Sequence, residues 1–148
     1  MDGGKQEGLM APARSIALSV FVFVGLAAVP AAAQSLDYEM YKTRVEPIFL
    51  KKRPGHARCV VCHAASNNAF KLQPLDKDAT TWTEEQSRKN FETVSRLVKP
   101  GDPEASHFVK HPLAQEAGGE LFHDGGRQFA TQDDPDWKII ADWVRAAK

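Results

Sequence analysis

The chain has 148 residues, 43% hydrophobic and 26% charged, with 19 basic against 19 acidic side chains. That length fits one domain, and the composition excludes collagen-like repeats and wholesale disorder. A net charge of zero with no basic run argues against nucleic acid as a partner and offers no footprint for an anionic membrane.

Lys5 and Arg14 precede an apolar run from Ile16 to Val29, and Pro30-Ala31-Ala32-Ala33-Gln34 follows it. A charged start, an apolar stretch and an Ala-x-Ala end read as a secretory signal peptide, residues 1–33, cleaved after Ala33. The run is short for a bilayer span, which needs roughly 20 apolar residues. Retention as a membrane anchor is the alternative. No cysteine follows the run, so a lipoprotein anchor has no attachment point. The domain is then residues 34–148, exported to the periplasm. A domain so small has a marginal core, to which a buried prosthetic group would add apolar area.

Leu36 to Lys52 carries Tyr38, Tyr41, Val45, Ile48 and Phe49 at helical spacing on one face. Asp37 stands near its start, and Pro47 should kink it or begin a second turn. Pro54-Gly55 ends it. Residues 66–83 lack periodicity but contain Phe70, Leu72, Leu75 and Trp82, so this loop should pack on the core. Thr83 and Gln86 form a capping-box pattern for a helix to about Val98, with Phe91, Val94, Leu97 and Val98 inward. Asp102-Pro103 opens a short helix ending near Lys110. His107 and His111 would share its face, while Pro112 should keep His111 extended. Gly118-Gly119 and Gly125-Gly126 mark turns. Asp134-Pro135 opens a last helix to about Ala147, with Trp137, Ile140, Ala141, Trp143 and Val144 on one face. No strand pattern occurs, and the fold class is all-α, short helices joined by long loops.

Cys59 and Cys62 are the only cysteines. A disulfide framework needs more of them at wider spacings. Cys59-Val60-Val61-Cys62-His63 is the Cys-x-x-Cys-His sequence of covalent c-type haem attachment. Two intervening residues let both sulfurs reach the two vinyl groups on one porphyrin edge from a single turn. The next histidine then presents an imidazole nitrogen to the iron. The expected cofactor is one covalent haem c, with Cys59 and Cys62 as attachment residues and His63 as proximal ligand. A thioredoxin-like pair would need a βαβ context, and a zinc site two further ligands.

These residues resemble the small cytochrome c domains of planctomycete and acidobacterial type. Besides the motif, the resemblance rests on Val45-Glu46-Pro47-Ile48-Phe49, on Val98-Lys99-Pro100-Gly101-Asp102-Pro103-Glu104-Ala105-Ser106 and on Trp143-Val144. It implies a cytochrome c fold, with N- and C-terminal helices packed together beside the haem. Such domains commonly carry a Met-Pro-Pro segment ahead of the last helix, its methionine being the sixth iron ligand. The methionines here are Met1, Met10 and Met40, none after the motif, and His123-Asp124-Gly125-Gly126 stands in that region. Met40 reads as core.

His123 is therefore the expected distal iron ligand, with His111 as the alternative and an open or water-bound position as a third. His56 lies too close to Cys59 for that role. Arg53, Arg58 and Arg127 could pair with haem propionates, although solvation is the ordinary state of each. The function expected is one-electron transfer with unidentified redox proteins, with no catalytic residues. The alternatives are a gas sensor or peroxidase-like protein with an open distal site, and a haem subunit of a larger redox complex.

Overall fold

A computed structural model of the protein describes residues 34–148 together with Met1, Gly3 and Gly4; the signal-peptide reading of residues 1–33 otherwise lies outside the described residues. The described residues are mainly helical and contain no strand, only an isolated bridge between Leu113 and Phe129. No helix among them is long and apolar enough to cross a membrane.

The first helical stretch is three pieces in line: α1 (Tyr38–Met40), a π-helical turn (Tyr41–Val45) and α2 (Glu46–Leu50). Asp37 caps its start by accepting from the Met40 N–H at 2.8 Å. The π turn is the answer to Pro47. Proline has no N–H and its ring crowds the carbonyl four residues back. Widening the turn just before it, with the Glu46 N–H reaching the Tyr41 carbonyl, lets the helix continue. Tyr41, Val45, Ile48 and Phe49 are buried.

This stretch packs on α6 (Pro135–Arg145). Trp143 is fully buried and donates its indole N–H to the Asp37 carbonyl at 2.8 Å. Its ring lies 5.6 Å from Tyr41, 6.2 Å from Phe91 and 6.5 Å from Phe108. The chain ends meet as well: Ser35 and Lys148 exchange backbone bonds of 2.6 and 3.1 Å. Asp134 caps α6 through the N–H groups of Asp136 and Trp137. The same acidic start binds Arg53, which pairs with Asp134 and Asp136, and Lys51, which pairs with Asp136. Arg53 also lies over the Phe129 ring. It is thus committed within the protein.

The expected capping box is present at α4 (Glu84–Ser95), with Thr83 and Gln86 bonding reciprocally. The helix stops at Ser95, three residues short of the expected Val98: the Leu97 and Val98 N–H groups turn to the Val94 and Ser95 carbonyls, three residues back, and the Leu97 carbonyl accepts from the Phe108 N–H. Val94 is buried and Phe91 partly so, while Leu97 and Val98 pack on the core from beyond the helix end. Its buried face also carries Ser87 and Asn90, both facing the buried Glu46. Ser87 donates to Glu46 Oε2 at 2.6 Å, Asn90 to Oε1 at 3.4 Å, and Tyr41 Oη to Oε1 at 3.3 Å. The loop 66–83 packs as expected: Leu72 and Trp82 are buried, and Trp82 donates to the Gln73 carbonyl. Met40 is partly buried against the core.

After a 3-10 turn (Pro103–Ala105), α5 spans His107–Lys110, and a second 3-10 turn covers Gln115–Ala117. His111 is not extended before Pro112. It is helical, φ −59° and ψ −42°, and closes α5 by donating to the His107 carbonyl at 2.9 Å. That bond, and the carboxylate holding its ring, outweigh the steric preference of a residue before proline.

Candidate functional site

The cysteine motif forms α3 (Cys59–Ala65), a single short helix. Cys59, Cys62 and His63 all line one cavity of about 440 Å³. Its apolar wall includes Ile48, Phe49, Phe70, Phe108, Phe129 and Ile140, and its histidines are His63, His107, His111 and His123. The motif, the first helical stretch, α5, the 119–127 loop and α6 thus converge on one apolar space, the usual character of a cofactor site.

Cys62 is exposed and Cys59 half-buried, and neither is in a disulfide. Burial pushes the Cys59 thiol up to about 11, partly offset by a backbone hydrogen bond and Arg53. A thiol raised in this way is unlike the acidic thiolates of redox-exchange sites.

His63 places Nδ1 2.8 Å from the Phe70 carbonyl, and its ring packs 4.3 Å from the Phe70 ring. A carbonyl only accepts, so Nδ1 carries the proton and Nε2 is the free nitrogen. Burial lowers the pKa of His63, keeping the ring neutral, although the Phe70 bond works the other way. A neutral imidazole oriented by a carbonyl on its far nitrogen is the state in which histidine ligates metal.

His123 repeats that arrangement from a loop. Its Nδ1 stands 2.5 Å from the Gly126 carbonyl, and its own carbonyl accepts from the Gly126 N–H at 2.9 Å. Gly126 has φ +76°, which favours glycine, and at Gly125 a Cβ would meet the His123 ring at 3.3 Å. The paired glycines therefore serve the histidine directly. Burial lowers the pKa of His123 as well.

The rings of His63 and His123 are 6.2 Å apart, centre to centre, and within 21° of parallel. Two imidazoles on opposite sides of one metal, with both nitrogens pointing at it from about 2 Å, put ring centres about 6 Å apart. His111 packs edge-on to His123, 4.9 Å away at 89°, and its Nδ1 is taken by Glu120 at 2.9 Å. His56 lies beside Gly126.

Among the described residues, two buried side-chain atoms lack a protein partner, Ser66 Oγ and Gln128 Oε1. Both residues line the cavity. Buried polar atoms are nearly always satisfied, so unpartnered ones at a cavity wall suit a bound molecule with polar groups. Arg127 is committed to the His111 and Leu121 carbonyls, leaving exposed Arg58 as the cavity-lining arginine without a bond among the described residues. The volume, the apolar wall, the placement of both cysteines and the two near-parallel imidazoles are compatible with a covalently attached haem. Sequence reasoning missed Glu120 and the two carbonyls that orient His63 and His123; main-chain partners leave no residue-type signal.

Compared with protein-family models, with curated proteins and with solved structures, the chain matches none.

Proposed function

We propose that residues 34–148 form a single-electron carrier with one covalent haem, exported to the periplasm and serving protein redox partners. The observation that carries this reading is the near-parallel pair His63 and His123, 6.2 Å apart on the motif's cavity, each with Nδ1 held by a main-chain carbonyl. The Cys-x-x-Cys-His motif on the same cavity and the resemblance to small cytochrome c domains support it.

When bound, the haem supplies a reversible one-electron iron couple. The chain's residues do the rest. Cys59 and Cys62 would anchor the group, and His63 and His123 would hold its iron. The Phe70 and Gly126 carbonyls fix both rings and raise their basicity. Phe49, Phe70, Phe108 and Ile140 keep water from the site. Arg58 and Ser66 are donors available to carboxylates at its polar edge. Two imidazoles favour a lower potential than a histidine–methionine pair. The export reading rests on the apolar run and the Ala31-Ala32-Ala33 site.

Intact mass of the chain, matured beside a haem-attachment system, tests the reading. The expected mass is residues 34–148 plus one haem, with colour that resists acid–acetone extraction. The Cys59→Ser/Cys62→Ser double variant should lose both. An unmodified, colourless parent would defeat the proposal.

A further inference from the structure

We propose that His107, His111 and Glu120 form a second metal site at the rim of the cavity, selective for a divalent first-row transition cation such as zinc. The proposal goes beyond the haem reading and uses neither of the imidazoles assigned to iron there.

The site is built from two neighbouring segments. His107 opens α5 and His111 closes it four residues on, which places both rings on one face, 4.5 Å apart and 33° from parallel. Glu120 comes from the following loop and addresses both at once. Oε1 lies 2.7 Å from His107 Nδ1 and Oε2 lies 2.9 Å from His111 Nδ1. One ligand atom from each residue falls within 4.8 Å of the other two.

The loop that carries Glu120 is pinned to α5. The Glu120 N–H donates to the Lys110 carbonyl at 3.3 Å, and the Gly119 N–H to the Ala114 carbonyl at 3.0 Å. A Cβ at Gly119 would sit 1.9 Å from the Leu113 carbonyl oxygen, so only glycine allows this approach. The carboxylate is therefore held in place before any ion arrives. Among the described residues, no lysine or arginine pairs with it. The side chains of His107, His111 and Glu120 are 52%, 34% and 32% exposed, which gives an ion a path from solvent.

The donor set selects the metal. Two imidazoles and one carboxylate suit zinc, copper, nickel and cobalt, whereas magnesium and calcium prefer all-oxygen shells. An ion at about 2 Å from each donor sets donor separations of about 3 Å, close to the two N–O distances already present. On binding, each ring would give up its Nδ1 proton, to Nε2 or to solvent, freeing the Nδ1 lone pair. Glu120 would change from hydrogen-bond acceptor to third ligand, and water would complete the shell. Because His111 packs edge-on to His123, the ion would sit one ring away from the proposed distal ligand.

Calorimetric titration of zinc into the purified mature protein tests this, with metal content of the dialysed product measured alongside. One zinc per chain is expected. His107→Ala and Glu120→Gln should each weaken binding by at least about 10-fold, while His56→Ala should leave it unchanged. Circular dichroism of each variant checks that it is folded. No stoichiometric zinc, or affinity unaltered in both His107→Ala and Glu120→Gln, would overturn the site and leave an ion-free carboxylate bridge between two histidines. The visible spectrum of the same samples reports haem separately, so loss of one proposal is distinguishable from loss of the other.

Discussion

The terminal-helix scaffold and the 107–128 segment are held in place by different means. In the scaffold, side-chain volume sets position: Tyr41, Phe49, Phe91 and Trp143 interlock through aromatic contacts of 5.2 to 6.2 Å. In the 107–128 segment, which carries three of the five histidines, Phe108, Val109 and Leu113 anchor the chain in the core and hydrogen bonds aim the imidazoles. Glu120 holds His107 and His111, and the Gly126 carbonyl holds His123. Leu121 and Phe122 are among the most exposed large apolar side chains described. Packing makes a rigid frame, whereas loops bonded to main chain aim individual imidazoles into the space the frame encloses. Stability should therefore depend on the first region and ligation on the second.

Removing Trp143 is the largest expected blow to the frame. Its ring is fully buried and its indole N–H is bonded to Asp37, so Trp143→Ala should cost about 3–5 kcal/mol in denaturant unfolding. A loss below about 1 kcal/mol would show that packing on α6 does not set the fold, since even an exposed cap costs that much.

A smaller, pH-dependent effect is expected at Glu46, the charged exception inside the frame. Burial raises its pKa, while bonds from Ser87, Asn90 and Tyr41 lower it in part. With the folded value above the unfolded one, the carboxyl's contribution is fully present below about pH 4 and lost as pH rises through the folded value. Glu46→Gln keeps the shape without the charge. Relative to wild type it should gain stability as pH rises from about 4 to 7, by of the order of 1 kcal/mol. Thermal unfolding of both proteins across that range checks this; a difference independent of pH would mean that Glu46 is solvated.

The same division explains what the sequence revealed. Helix caps at Asp37, Thr83 and Asp134 are local, and each was legible from two or three residues. So was the buried face of α6, because its period of 3.6 is written in Trp137, Ile140, Ala141 and Val144. The motif named Cys59, Cys62 and His63 by spacing alone, and the structure brings all three to one cavity with His123. Non-local features were hidden. Ser87 and Asn90 bond Glu46 from more than 40 residues away in the chain. Nothing near Pro47 specifies that a π turn will absorb it. The helical state of His111, whose ring Glu120 holds from nine residues later, is not anticipated by the rule about proline.

The most direct test of the central claim is the visible absorption spectrum, oxidised and reduced, of the mature protein, His123→Ala and His111→Ala. With His63 and His123 as the iron ligands, the parent is low-spin, His123→Ala becomes high-spin and His111→Ala stays low-spin. A low-spin His123→Ala would contradict the account by assigning the sixth position to another residue. A high-spin parent would contradict it by leaving that position open.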